Sequence, residues 1–316
     1  MKQKIIPIFF AVDDNYAPLL YVALESIISQ ASPEYEYHFH ILYENLSGEN
    51  IAGFLGYNHG NVRVYVTDMA ERIAAHVQQM HTRDYYSKTT YFRVYIARMY
   101  PEYGKALYLD CDIALNGDIS ELYSYDIGDN YVGGITCETV DTSDVFTHYA
   151  ENYLGCRLPD YFNAGVMVMN LKALRGIDFE RRFFDIMSKI TFEVAQDQDY
   201  FNVLCKGHVM FIPIKWNKTP RPDGYIPLEE IKLVHYNLAY RPWRYDGVHY
   251  GELFWKHARK TPVYEKLLEM KRAFTEENAA YDRQWMTNLV KLARKQGNSK
   301  NTFFNRLLNG DIVLIS

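Results

Sequence analysis

The sequence predicts an α/β fold: a sheet with helices on both faces, followed by a helical tail. In the first half, apolar runs of strand length alternate with apolar residues at helical spacing. Such β-α-β-α order implies a largely parallel sheet. The first run, residues 5–12, is apolar throughout, as expected for a strand buried on both faces. After about Gly251 the pattern turns helical and polar to the end of the chain. The expected division is an α/β domain over residues 1–250 and a basic helical extension over 251–316.

The elements follow in order. Residues 18–30 place Leu20, Ala23, Leu24, Ile27 and Ile28 on one helical stripe. Residues 37–43 return to a strand, and Val62, Val64 and Val66 alternate in the next. A helix is predicted over residues 89–100, from the spacing of Phe92, Tyr95, Ile96 and Met99, stopping at Pro101. Residues 106–109 form a short strand ending in Asp110, and further strands are expected at 131–136, 162–171, 209–212 and 231–236. There is no internal repeat and no low-complexity segment.

Composition excludes several classes. The 316 residues are 48% hydrophobic and 23% charged, which is ample for a core and unlike a disordered or fibrous chain. The longest apolar run, residues 5–12, contains Pro7 and ends at Asp13-Asp14. It falls well short of the roughly 20 residues of a membrane span and lacks the shape of a signal peptide. A soluble, cytoplasmic protein is the expectation. Cys111, Cys137, Cys156 and Cys205 lie far apart with no Cys-x-x-Cys pair, which argues against a disulfide framework or structural zinc. Reduced, buried thiols are expected. The net charge is −5, yet residues 281–310 hold six basic residues against one acid. An acidic body with a basic tail is not the broad basic face of a nucleic-acid reader, so no nucleic-acid partner is expected. The 28 tyrosines, 17 phenylalanines and 4 tryptophans suit sugar stacking and core filling alike.

Three segments carry candidate chemistry. In Leu107-Tyr108-Leu109-Asp110-Cys111-Asp112, residues two apart in an extended chain share a side, so the two carboxylates converge. Like charges at that spacing call for a cation, and oxygen donors favour Mg²⁺ or Mn²⁺. Ligands in parallel sheets bind beyond the carboxyl ends of strands, where Asp13, Asp14, Asp110 and Asp112 stand. The alternative is a solvated turn. Gln196-Asp197-Gln198-Asp199 opens a helix, and there acids also serve simply to complement the dipole. His235 ends a predicted strand, and as an imidazole ligand beside two carboxylates it would favour Mn²⁺; Arg241 supplies a cation that could meet a phosphate.

Taken in order, these segments resemble the retaining glycosyltransferases of family 8. The matching blocks are Ala11-Val12-Asp13-Asp14-Asn15-Tyr16-Ala17, Thr89-Thr90-Tyr91-Phe92-Arg93, Leu107 to Asp112, Phe162-Asn163-Ala164-Gly165-Val166 and Asp197-Gln198-Asp199. His235-Tyr236 with Arg241-Pro242-Trp243 completes the set, so the resemblance spans about residues 5 to 245. It implies the GT-A fold, a Rossmann-like mixed sheet flanked by helices. It implies a hexose, glucose or galactose, moved from a UDP-sugar to a saccharide, lipid-linked or protein-glycan acceptor, with Mn²⁺ (or Mg²⁺) as cofactor.

The resemblance also assigns residues. Asp110, Asp112 and His235 would bind the metal; Ala11, Val12, Asp13, Asn15 and Tyr16 would line the uridine pocket. Thr90, Arg93, Asn163, Ala164, Gly165, Asp197 and Gln198 would surround the donor sugar, with Cys111, Leu238 and Arg241 in the same donor-binding set. Gln198, Asp197 and Asp199 are the catalytic candidates, and any nucleophile would be Gln198 or Asp199. Since a neutral amide is a weak nucleophile, same-face attack is preferred over a covalent adduct.

Departures and rivals complete the reading. The family signature after the histidine, His-x-x-Gly-x-x-Lys-Pro-Trp, here has Leu238 for the glycine and Arg241 for the lysine. Cys137 stands where some bacterial members have an aspartate near the acceptor. A degenerate transferase that binds UDP-sugar without turnover is one rival. A haloacid-dehalogenase-type phosphatase is another, but Ala114 occupies the position where that class has Thr or Val, and the motif lies a third of the way along the chain. The tail, with Trp285, Phe303 and Phe304 among its basic residues, is expected to touch the inner face of an anionic membrane, or else to pack on the catalytic domain or mediate self-association. The sequence sets no oligomeric state.

Overall fold

The computed structural model describes residues 3–82, 87–138, 144–238 and 240–314. Among them the strands are β1 (Lys4–Val12), β2 (Tyr35–Tyr43), β3 (Val62–Asp68), β4 (Ala106–Leu109), β5 (Ile113–Leu115), β6 (Val132–Thr136), β7 (Phe162–Met169), β8 (Val209–Phe211) and β9 (Leu233–His235). The chain forms two compact units that interleave in sequence. Unit 1 comprises residues 1–71, 106–126 and 213–279; unit 2 comprises 72–105, 127–212 and 280–316.

Unit 1 holds four parallel strands in the order β3-β2-β1-β4. Isoleucine, valine and phenylalanine side chains of β1 are buried on both sides, the result of an apolar run without alternation. The helix Ala17–Ile28 begins where the Asp13 carbonyl and Oδ1 accept the Tyr16 N–H. Its buried Ser26 hydroxyl accepts the Leu115 N–H at 3.1 Å, and Gln30 Nε2 donates to the Leu115 carbonyl at 2.9 Å. The end of β5 is thereby tied at both of its backbone groups to the helix and the turn that follows it. β5 pairs antiparallel with β9, setting Ile113 opposite His235.

Unit 2 holds β6, paired antiparallel with β7 and parallel with β8. The expectation of a parallel sheet therefore holds for unit 1, while β6 and β7 make the fold mixed. The strand predicted to reach residue 171 stops at Met169, because Asn170 accepts the Ala173 N–H and starts the helix Leu171–Gly176. The helix predicted over 89–100 is a 3₁₀ helix, Lys88–Tyr95, that becomes α-helical only over Ile96–Met99. Ser87 and Thr90 explain this. The Ser87 hydroxyl accepts the Thr89 N–H and its carbonyl accepts Thr90 Oγ1, competing with α-helical bonding in the first turn.

The chain after residue 250 is helical as expected, in Gly251–Ala258, Tyr264–Arg272, Glu276–Gly297 and Phe303–Leu308. Within unit 2, Trp285, Leu289, Ala293 and Phe303 are buried. Gly297 lies so close to His148 and Tyr149 that a Cβ there would meet His148 at 2.9 Å. Gln296 donates to Glu193 at 2.7 Å, and Phe303 sets its ring edge-to-face against Phe192. Arg283, Lys291, Arg294, Lys295 and Lys300 are exposed. All four cysteines are free and buried, and no described helix is long and apolar enough to cross a membrane.

Candidate functional site

In unit 1 the structure brings Asp110, Asp112 and His235 together, with one ligand atom from each within 4.8 Å of the others. Three connections do this. Cys111, between the two aspartates, turns inward and donates its thiol to the Ala11 carbonyl at 3.3 Å, anchoring the segment to the end of β1. The β5–β9 pairing brings up His235, and the Tyr236 N–H donates to the Asp112 carbonyl at 2.8 Å. Lys218 bridges to Val234, exchanging backbone hydrogen bonds with Leu233 and His235, and so delivers Asn217 to the histidine ring.

Asn217 fixes the chemistry of that ring. Its Oδ1 lies 2.9 Å from His235 Nδ1, so Nδ1 is the donor and a neutral imidazole turns the Nε2 lone pair the other way. Nε2 faces Asp112 Oδ1 at 3.2 Å and Asp110 Oδ2 at 3.7 Å. Tyr108 donates to the other oxygen of Asp110 at 3.1 Å. Two unit negative charges about 5 Å apart repel by roughly 3 kcal/mol at an effective dielectric near 20. A lone pair between them adds to the conflict unless a proton or cation is shared. Burial pushes the Asp112 carboxyl up, but His235, as charge and hydrogen-bond partner, and Arg241 outweigh it and leave it below the ordinary carboxylate value. Two carboxylates and one imidazole nitrogen with its second nitrogen already bonded fit a divalent cation of the Mg²⁺–Mn²⁺ class.

The other unit 1 candidates vary. Burial raises the Tyr16 phenol, against the opposing charge of Arg241. Asp13 spends Oδ1 on the Asn15 and Tyr16 N–H groups, so that oxygen shapes the turn. Ala11 and Val12 are buried at the end of β1, and Asn15 is exposed. Leu238 sits at φ +54°, a left-handed conformation unusual for leucine.

In unit 2 the structure gathers Thr90, Arg93, Asn163, Ala164, Gly165, Asp197, Gln198 and Asp199. Arg93 Nε lies 3.1 Å from Asp197 Oδ2, with both side chains buried. The same guanidinium donates to the carbonyls of Thr90 and Ala164. Gln198 Oε1 accepts from Asn163 Nδ2 and from the Ala164 N–H, each at 3.1 Å. Asn163 Oδ1 in turn accepts the Gly165 N–H at 3.0 Å. Asp199 is wholly buried, and its two oxygens accept from Tyr149, Tyr161 and the Ala195 N–H. Gln196, just before this run, is fully buried at φ +49°.

Sequence reasoning missed Asn217, Tyr149, Tyr161 and Asn202. Asn202 imitates a neighbouring strand: it accepts the Phe162 N–H at 2.8 Å and donates to the Phe162 carbonyl at 2.9 Å. It lies one turn after Gln198 on the same helix, a spacing that could have marked it. The others are met only through pairing distant in sequence, and no local signal marks them.

Comparison with known proteins identifies the family. The model of glycosyl transferase family 8 matches residues 7–247. The lipopolysaccharide 1,2-glucosyltransferase of Escherichia coli K12 is 25% identical over 274 residues, covering 81% of this chain and 78% of that protein. The lipopolysaccharide 1,3-galactosyltransferase of Salmonella typhimurium is 24% identical over 262 residues, covering 77% and 74%. Galactosyltransferase LgtC, solved in complex with donor and acceptor sugar analogs, matches with a TM-score of 0.67 at 27% identity, over 81% of this chain and 96% of that one. The bifunctional glycosyltransferase WbbM matches with a TM-score of 0.74 at 23% identity. That likeness covers 86% of this chain but only 53% of WbbM and speaks for the fold alone. The chain therefore belongs to glycosyl transferase family 8 and is a glycosyltransferase of the GT-A fold.

Proposed function

We propose that this glycosyltransferase moves glucose or galactose from a UDP-sugar, with a bound Mn²⁺, onto a saccharide acceptor and retains the anomeric configuration. The observation that carries the reading is the Asp110–Asp112–His235 cluster, whose charges conflict unless a proton or cation is shared. The lipopolysaccharide transferases among the relatives support a glucose or galactose donor and a lipid-linked or surface-glycan acceptor. A divalent cation held there supplies neutralisation of the charge that grows on a departing diphosphate. Arg241, buried near Asp112, adds a fixed positive charge to the same region. Arg93, pinned by Asp197, fixes the Ala164 backbone beside Gln198.

Same-face attack fits this set better than a covalent sugar adduct. Both Asp199 oxygens already accept hydrogen bonds, and the Gln198 oxygen accepts two. Neither is a free nucleophile. Asp110 is the cleanest test of the metal site because its side chain is partly exposed. Asp110→Asn is expected to abolish Mn²⁺-dependent UDP release while Tm stays within a few degrees. Turnover near the wild-type level would remove the metal-site assignment.

Leu238 stands where the family signature carries glycine, and its left-handed backbone is the conformation a glycine adopts freely. The backbone shape is kept although the residue is not. A left-handed non-glycine residue costs about 1–2 kcal/mol, partly offset by the greater unfolded-state entropy of glycine. Leu238→Gly is expected to leave thermal stability unchanged or raise it by up to about 1 kcal/mol. A drop in Tm of several degrees would show that the leucine side chain outweighs the strain.

For the tail, burial of Trp285 and Phe303 withdraws those rings from any bilayer. The reading we retain is electrostatic: Arg283, Lys291, Arg294, Lys295 and Lys300 face anionic lipid at the inner face of the membrane, where a lipid-linked acceptor lies. Changing Arg283, Lys291, Arg294 and Lys295 to Gln is expected to weaken binding to phosphatidylglycerol vesicles at low salt. Undiminished sedimentation with those vesicles would contradict it.

A further inference from the structure

The hydrogen bonds around Gln198 have directions that can be worked out, and they restrict what this side chain can offer a sugar. An ionised carboxylate only accepts, so both phenols at Asp199 must donate: Tyr149 at 2.8 Å to one oxygen and Tyr161 at 2.6 Å to the other. Burial, reinforced by the Asp199 charge, raises both phenols well above their ordinary value, so each keeps its single proton. With that proton committed, the Tyr161 oxygen can only accept from its other neighbour, which is Gln198 Nε2 at 3.0 Å. At the opposite end of the amide, the Ala164 N–H can only donate, and it faces Gln198 Oε1. Two independent constraints thus select the same orientation of the amide.

The remaining capacity follows by counting. The amide oxygen has two lone pairs, taken by Asn163 and Ala164. Of the two Nε2 hydrogens, one goes to Tyr161. The other has only the Cys137 sulfur, a weak acceptor at 3.9 Å. A sugar hydroxyl or ring oxygen would replace that sulfur with a much better partner.

We propose that Gln198 acts on the sugar as an N–H donor through this second Nε2 hydrogen, and that Tyr161, anchored by Asp199, is the positioning residue that fixes it in that role. The proposal rests on the functional reading for its substrate, a hexose with hydroxyl and ring oxygens as acceptors. It assigns the hydrogen-bond direction and adds Tyr161 to the machinery.

Tyr149 provides a matched control. It gives Asp199 an equivalent hydrogen bond but has none to Gln198. UDP-sugar turnover would be measured for wild type, Tyr161→Phe and Tyr149→Phe, together with the side-chain ¹H–¹⁵N amide signals of Gln198, assigned by their loss in Gln198→Ala. Tyr161→Phe is expected to lower kcat by about tenfold or more with donor KM changed less than about threefold, since loss of orientation acts on the reacting complex. It is also expected to shift the Gln198 amide signals. Tyr149→Phe is expected to lower Tm while leaving those signals in place. Equal losses of kcat in the two variants, or Gln198 signals unmoved by Tyr161→Phe, would overturn the proposal. If Tyr161→Phe does not fold, Asp199→Asn serves instead: its amide can donate to the phenol oxygen, and it too is expected to move the Gln198 signals. A wild-type protein with neither turnover nor a Mn²⁺-dependent rise in Tm on any UDP-sugar would refute the functional reading, while the amide signals would still decide whether Tyr161 orients Gln198.

Discussion

The three-residue pairing of β5 with β9 is the interaction on which the Asp110–Asp112–His235 cluster depends. It sets His235 opposite Ile113, one residue after Asp112, although the two strands are more than a hundred residues apart in sequence. A slip of one residue would turn the imidazole to the opposite face and leave two carboxylates without their nitrogen partner. Several contacts hold that register. Ser26 of the first helix and Gln30, just past its end, bind both backbone groups of Leu115, and the Lys218 bridge secures β9 from its other side. The short strands need these supports because three residue pairs alone give little hold. Asn217 then settles which nitrogen of the ring faces the two carboxylates.

Unit 2 uses polar burial for a different end. A carboxylate without solvent is costly unless its oxygens are bonded, and Asp199 meets that need with two phenols and a backbone N–H. The arrangement is directional, so satisfying the carboxylate also orients the groups around it. Asn202 adds rigidity by locking the start of β7 to the helix Asp197–Leu204. The buried Arg93–Asp197 pair does the same for the Ala164 backbone.

Much of this was legible in the sequence, for physical reasons that differ by element. The unbroken apolar run of β1 and the alternation in β3 reflect burial directly, and both strands stand where expected. The convergence of Asp110 and Asp112 was expected from side-chain alternation in an extended segment; in the structure the strand ends at Leu109 and the two carboxylates meet across a bend at Cys111 and Asp112. The 3₁₀ helix Lys88–Tyr95 did not, because its apolar spacing suits a period of three as well as 3.6, and the Ser87–Thr90 bonds decide between them. β5 was illegible for another reason: three residues are too few to show alternation, and β5 exists because β9 pairs with it. Tyr149, Tyr161 and Asn217 are ordinary polar or aromatic residues in the chain. They acquire roles only through partners brought in from distant positions.

The central claim is that a cation-dependent UDP-sugar site exists in this chain. UDP release from a panel of UDP-sugars, measured without acceptor in the presence of Mn²⁺ and again with excess chelator, tests it most directly. The account predicts slow release from UDP-glucose or UDP-galactose that stops when the metal is removed. Release that continues undiminished in chelator would contradict it, as would the absence of both release and any Mn²⁺-dependent rise in Tm with every UDP-sugar.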